Sequence, residues 1–262
     1  MQGVSASKIA VESLSKSFDS ISAVDNIDLK IGAGEFVSLV GPSGCGKSTL
    51  LYMIGGFVHP TSGRLLADGK PITKPGIDRG IVFQDYALFP WLTVYDNIAY
   101  GLQMKGCSRA EERDTVGRYI DLIGLKGFET RYPRELSGGM KQRVALARTF
   151  AYGPDILLLD EPFGALDSQT REIMQDELLR LWGSTGKTIL MVTHDVSEAV
   201  YLSTRVCVMS RRPGRIVREF PITLDRTGTR ESIVLSSAYT ELHNQVWLAV
   251  RHEVLVPGGD AP

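Results

Sequence analysis

The sequence predicts an α/β fold built on a mostly parallel sheet, and two observations carry that expectation. The first is the stretch Gly41-Pro42-Ser43-Gly44-Cys45-Gly46-Lys47-Ser48-Thr49. It fits the phosphate-binding pattern of a glycine, four residues, then Gly-Lys-Ser/Thr. It sits in the required context, after the apolar run Phe36-Val37-Ser38-Leu39-Val40 and before a helical run over 47–54. The second is the alternation of short apolar runs with helical spacing downstream, which is how strands and crossover helices of a parallel sheet read.

Each residue type in the loop has a physical reason. A nucleotide triphosphate is a dense anion and needs many donors close by. Gly44 and Gly46 lack a Cβ, so the backbone can turn sharply and come near. Their N–H groups then form an anion-binding nest. Lys47 reaches the β- and γ-phosphates as a point charge. Ser48 offers a hydroxyl to Mg²⁺, which prefers oxygen ligands. The helix that begins here adds the positive end of its dipole.

The bulk composition narrows the class. The chain has 262 residues, 43% hydrophobic and 23% charged, as in ordinary soluble globular proteins. A net charge of -1 provides no basic field for nucleic acid. No apolar run approaches the length that spans a bilayer. Residues 1–10 lack the apolar stretch of a signal peptide. Cys45, Cys107 and Cys207 are scattered and odd in number, which suits reduced thiols in a cytosolic setting.

Taken in order, residues 1–35 read as short strands, with Ile27, Leu29 and Ile31 alternating with Asp28 and Lys30. His59-Pro60-Thr61-Ser62-Gly63 is a turn, followed by short strands over 64–67 and around Ile72. Ile81-Val82-Phe83 is another apolar run, ending at Gln84. Residues 85–152 are expected to be mainly helical. Ser108-Arg109-Ala110-Glu111 is a capping box that starts one of these helices. Leu136-Ser137-Gly138-Gly139 precedes another, over 140–152.

Ile156-Leu157-Leu158-Leu159 reads as a strand buried on both faces and ends in Asp160-Glu161. An amphipathic helix over 168–182 follows, then the strand Ile189-Leu190-Met191-Val192-Thr193, ending at His194. Val206-Cys207-Val208-Met209 is expected to be the last strand. Arg211-Arg212-Pro213-Gly214-Arg215 turns the chain, 233–253 is expected to be helical, and 257–262 a frayed tail. The domain division expected is 8–240, with a helical part at about 85–152, and 241–262 as helix end and tail.

Ligands of parallel sheets bind at the carboxyl ends of strands. The phosphate loop, Gln84, Asp160-Glu161 and His194 each follow an apolar run, so they are expected to share one site. A buried strand ending in two acids is hard to explain as structure alone, because a buried carboxylate needs a partner or a metal. Asp160 suits holding Mg²⁺, and Glu161 suits polarising an attacking water as general base. His194 reads equally as a hydrogen-bond partner for a γ-phosphate and as a strand-end capping residue. Phe18, on composition and spacing, reads as a core aromatic.

The string Leu136-Ser137-Gly138-Gly139-Met140-Lys141-Gln142-Arg143 puts a hydroxyl and two glycines at a helix N-terminus, a second anion-binding device about ninety residues after the first. No Asn-Lys-x-Asp string of a GTPase occurs. The string resembles the signature of ATP-binding-cassette (ABC) ATPases. The phosphate loop, Gln84, the run 156–162, Ala165-Leu166-Asp167 and His194 resemble that family's other motifs in order, over about residues 8–220.

The resemblance implies a RecA-like core with an antiparallel β subdomain and a helical subdomain. It implies a head-to-tail homodimer in which two ATP lie between one subunit's loop (Gly41, Pro42, Ser43, Gly44, Cys45, Gly46, Lys47, Ser48, Thr49) and the other's signature. It makes Phe18 the aromatic that stacks on adenine. Gln84 becomes a sensor of Mg²⁺ and γ-phosphate, with Ser48 and Asp160 as further Mg²⁺ ligands. Ser137, Gly138, Gly139, Gln142 and Asp167 become contacts to ATP in trans, and Glu161, His194 and Gln84 the catalytic set.

Leu88-Phe89-Pro90-Trp91-Leu92-Thr93-Val94 and Ser210-Arg211-Arg212-Pro213-Gly214-Arg215-Ile216 are similar to the nitrate/sulfonate/taurine importer group. That likeness implies a peripheral ATPase on the cytoplasmic side of the membrane. It would drive a separate permease, docked near Tyr86, Phe89 and Trp91, with a solute-binding protein delivering cargo.

Overall fold

A computed structural model describes residues 7–255. The chain begins with β1 (Ser7–Phe18), β2 (Ile21–Gly32), β3 (Phe36–Val40), α1 (Lys47–Gly55), β4 (Ser62–Ala67) and β5 (Lys70–Pro71). It continues with β6 (Arg79–Val82), α2 (Val94–Met104), α3 (Arg109–Leu122), a 3-10 turn at Pro133–Glu135, and α4 (Gly138–Ala151). Then come β7 (Ile156–Asp160), α5 (Ser168–Thr185), β8 (Thr188–Val192) and α6 (Val196–Leu202). It closes with β9 (Arg205–Met209), β10 (Ile216–Pro221), α7 (Arg230–Val234) and α8 (Ser237–Leu255). Two compact units result. One combines the chain up to Gly76 with the residues from Leu181 onward, and the other is Ile77–Arg180.

The first unit carries two sheets. Alternation over Ile27, Leu29 and Ile31 puts all three in the core of an antiparallel sheet ordered β2-β1-β4-β5. β1 and β2 are twelve-residue strands rather than short ones. Register shifts around Ser13 absorb the irregularities that make the sequence look broken. Ser13 itself has φ 45°, and its N–H donates to Asp28 Oδ1 at 2.8 Å.

β3 pairs in parallel with both β8 and β9. Every residue of β3 and β8 is buried, as a central parallel strand requires. The buried Ser38 hydroxyl of β3 is satisfied by Ser203 Oγ at 2.5 Å. β9 is not the last strand: β10 pairs antiparallel with it. β10 is an exposed edge, with polar Arg218 and Glu219 inside it, so it lacks the apolar run that marks its neighbours. The helical stretch expected over 233–253 forms, as the end of α7 and most of α8. Residues 257–262 lie outside the described residues.

In the second unit β6 and β7 pair in parallel. Gly80 lets Thr149 and Tyr152 of the α4 end close on β6, because a Cβ there would lie 2.8 Å from each side chain. The capping box at Ser108 forms as the spacing suggests, with Ser108 Oγ accepting from Glu111 N. Asn97 in α2 is fully buried and uses its whole amide on the segment before its own helix. Nδ2 donates to the Phe89, Leu92 and Thr93 carbonyls at 3.2, 3.1 and 2.9 Å, and Oδ1 accepts from Phe89 N at 2.9 Å. No helix among the described residues is long and apolar enough to cross a membrane.

Asn97→Ala would leave those main-chain groups without partners. It is expected to destabilise the protein by about 3 kcal/mol, as the loss of a buried multi-bond amide does. A denaturant titration reads this as a lower midpoint with unchanged slope. An unchanged midpoint would show that the segment holds itself.

Candidate active site

In the first unit, the phosphate loop leaves β3 at Val40 and enters α1 at Lys47. Gly41 (φ +154°) passes so close to the end of β9 that a Cβ would lie 2.6 Å from the Met209 carbonyl oxygen. Gly46 (φ +103°) is pressed on β2, where a Cβ would meet Val24 Cγ1 at 2.5 Å. Gly44 (φ +71°) has open space instead, and with Ser43 it is exposed. The glycines therefore do different work: two permit contact with the protein, and one opens the loop to solvent. Gly46 is also the N-cap of α1 and offers no side chain to the first-turn N–H groups. Donors left this way at a helix N-terminus suit an anion.

Lys47 is 6% exposed. Its Nζ donates to the Gly41 and Pro42 carbonyls at 2.8 and 2.9 Å. Cys45 Sγ lies 3.8 Å from the same ammonium. Burial pushes the Cys45 thiol up, and the Lys47 charge pulls it partway back.

Phe18 ends β1 and is 46% exposed, with Lys16 Nζ 4.8 Å from the ring centroid. The core placement that spacing alone suggests is thus not what forms; the ring is available at the hairpin end. His194 follows β8 and is exposed. The residues around it are tightly fixed. Thr193 Oγ1 donates to Glu198 Oε2 at 2.7 Å and accepts from Asp195 N at 3.0 Å. Asp195 Oδ1 caps α6 through Ser197 N and Glu198 N.

In the second unit, Gln84 follows β6 and is exposed. The next residues bend through positive φ at Tyr86 (61°) and Ala87 (45°), an uncommon conformation for non-glycine residues. Arg148 of α4 holds that bend, donating to the Ala87 carbonyl at 2.7 Å and the Tyr86 carbonyl at 3.2 Å. Its guanidinium also lies 5.3 Å from the Phe89 ring centroid. Phe89 in turn stands 4.5 Å from Tyr100 and 5.7 Å from Trp91, centroid to centroid, and Trp91 is 70% exposed.

Asp160 closes β7 and is buried, 1% exposed. Glu161 is half-buried and sits at φ 49°. Gln142 of α4 braces it. Gln142 Nε2 donates to the Glu161 carbonyl at 3.1 Å, and Oε1 accepts from Ala165 N at 2.9 Å. Gln142 is thus buried with both ends of its amide used inside this chain, whereas its neighbours Ser137 and Gly138 are exposed.

Ser137 is the N-cap of α4, accepting from Met140 N at 3.3 Å. Gly139 brings that cap near the next loop: a Cβ there would stand 3.3 Å from the Ala165 carbonyl oxygen. Asp167 is exposed, and the Thr170 N–H holds its carboxyl below the usual range. Arg171 donates to the Leu166 carbonyl at 3.0 Å and fixes the same turn.

The donor set expected for Mg²⁺ is a hydroxyl (Ser48), an amide (Gln84) and a carboxylate (Asp160). All present oxygen, which suits a hard cation. No cluster of histidine, cysteine and carboxylate that would favour a softer metal occurs among the described residues.

Arg148, which braces the bend after Gln84, is the residue of this region that sequence reasoning missed. It lies eleven residues past Ser137 on the same helix, where a lone arginine reads as a solvated face.

Comparisons with known proteins show the family. The family model described as ABC transporter matches residues 24–164. The chain is 56% identical to the nitrate import ATP-binding protein NrtD of Synechocystis sp. over 205 residues, 78% of this chain and 77% of that protein. It is 48% identical to the taurine import ATP-binding protein TauB of Roseobacter denitrificans, over 84% of this chain and 82% of that one. Among solved structures, a dimeric ATP-binding cassette in a post-hydrolysis state with ADP and Pi superposes with a TM-score of 0.75 at 35% identity. That match covers 82% of this chain and 98% of the other.

The Cys45 environment sets a pH dependence. Alkylation proceeds through the thiolate, and a raised pKa leaves less thiolate at any pH below it. The rate of iodoacetamide labelling at Cys45, read by mass spectrometry, is therefore expected to rise at higher pH in the folded chain than at the same cysteine in the urea-unfolded chain. Coincident curves, or a folded curve displaced to lower pH, would contradict the buried thiol.

Proposed function

The chain belongs to the ABC transporter ATP-binding family, and on that premise we propose that it is the ATP-hydrolysing subunit of an importer for a small solute. The observation that carries the reading is the fixed Glu161. A general base directly after a buried Asp160, held in a strained backbone conformation by Gln142, is an arrangement for turnover and not for binding alone. The cargo belongs to the nitrate, sulfonate and taurine group; relatives named for nitrate and taurine import support this.

The roles follow from the chemistry of each side chain. The loop N–H groups and Lys47 bind the β- and γ-phosphates, and Phe18 stacks on adenine. Glu161 orients a water and accepts its proton at the carboxylate. His194 hydrogen-bonds the γ-phosphate, and Gln84 reports on it. Ser137, Gly138, Gly139 and Asp167 face a second copy's ATP in a head-to-tail homodimer. Gln142 acts through Glu161. Ser48, Gln84 and Asp160 are the oxygen donors assigned to Mg²⁺, which when bound neutralises phosphate charge.

The exposed Trp91 and Tyr100, packed on the half-buried Phe89 and with Tyr86 in the preceding bend, form the surface for the permease on the cytoplasmic side of the membrane. An unburied aromatic group of this kind fits a partner site. The solute-binding protein acts through that permease.

Glu161→Gln is expected to keep ATP affinity, lose turnover by about a hundredfold, and elute as an ATP-bound dimer in size-exclusion chromatography. Turnover equal to the parent would remove Glu161 from the base role. In cell fractionation, the chain should reach the membrane only when its permease is co-expressed; membrane association independent of the permease would contradict the docking surface.

A further inference from the structure

The turn after β9 was singled out in the sequence, and no role so far assigned uses it. Its geometry points back to the phosphate loop. Gly214 N donates to the Ala23 carbonyl at 3.0 Å, and Asp25 N donates to the Gly214 carbonyl at 3.0 Å. Gly214 is thereby stitched across Val24, the residue against which Gly46 is pressed. A Cβ on Gly214 would collide with the Cys45 carbonyl oxygen and lie 2.8 Å from Met209 Cε. No left-handed φ forces a glycine here; the close approach of two backbones does.

The turn is itself anchored. Ser210 N donates to the Arg215 carbonyl at 2.9 Å, and Arg215 N donates to Ser210 Oγ at 3.0 Å. The Ser210 hydroxyl donates within the turn to the carbonyls of Arg211 and Pro213. Arg215 pairs with Asp25 of β2, and Arg211 Nε donates to the Glu253 carbonyl of α8 at 2.9 Å.

We infer that Gly214 is a positioning residue for nucleotide binding: through its backbone contact with Cys45 it fixes the phosphate loop in the shape that presents N–H groups and Lys47 to phosphate. The loop is gripped at three points, Gly41 on Met209, Gly46 on Val24, and Cys45 on Gly214. The first two are glycines of the motif itself. The third lies far away in sequence and supplies the wall behind the loop. A preformed nest keeps its donors aligned without ordering them at each binding event, and displacement by an ångström is enough to lose alignment. The inference rests on the reading that this loop holds ATP.

The test uses the purified full chain. ATP affinity is titrated with a fluorescent ATP analogue, KM and kcat are measured for ATP, and Tm is recorded without nucleotide. Gly214→Ala is expected to raise Kd and KM about tenfold with kcat at saturating ATP within about twofold. Gly34→Ala, a strained glycine at the opposite end of β3 (φ +74°), is the control. It should lower Tm and leave both constants unchanged.

Where Gly214→Ala does not fold, Ser210→Ala loosens the same turn without a clash and should raise Kd about threefold. A folded Gly214→Ala, or in its place Ser210→Ala, with the parent's ATP affinity would overturn the inference. Lys47→Ala separates the two readings. If it abolishes ATP binding while Gly214→Ala leaves it intact, only the positioning role falls. If Lys47→Ala binds ATP like the parent, the ATP reading of the loop falls as well.

Discussion

Everything in the first unit depends on holding a buried ammonium next to main-chain atoms. Lys47 is nearly out of solvent, and a buried charge is tolerated only when it is hydrogen-bonded. The partners are the loop's own carbonyls at Gly41 and Pro42. That demands a loop curled around its own lysine, and the curl brings backbone against backbone at Gly41, Gly46 and Cys45. Glycines at 41, 46 and 214 accommodate those close approaches, against the end of β9, β2 and the loop itself. The same loop ends at Gly46, which offers no side chain to the first-turn N–H groups of α1.

In the second unit the corresponding constraint is backbone strain. Glu161, Tyr86 and Ala87 all take positive φ without being glycine, and such conformations persist only where the surroundings over-determine them. One helix supplies both braces. Gln142 holds the Glu161 loop and Arg148 holds the loop after Gln84. The N-terminus of α4 at Ser137 and Gly138 is exposed, so a helix that begins in an open cap carries further along it the groups that shape two other loops. A displacement of α4 would be felt at both.

Much of this was legible because apolar runs and turn chemistry are local. The strands β3, β7 and β8 are buried on every residue and read as continuous apolar runs. Each ends in the polar group that the site reading singled out. What failed was non-local or edge structure. β10 is an exposed edge strand with charged residues along it, so no run announces it. Phe18 looks like core by composition, but it lies at a hairpin end, 46% exposed, with Lys16 over its ring. Gln142 reads as part of an anion-facing string, yet helical geometry turns it to the opposite side from Ser137 and into the protein. Arg148 and Gly214 gain their meaning from partners far away in sequence that only folding brings near, and no spacing rule predicts them.

The central claim is that ATP turnover by this chain is coupled to a membrane permease. The most direct measurement is the ATPase rate of the purified chain, alone and assembled with the permease and loaded binding protein in proteoliposomes. The account predicts a low rate alone and a marked rise in the full assembly, abolished by Glu161→Gln. A rate indifferent to the permease would leave the nucleotide chemistry standing and contradict the coupling.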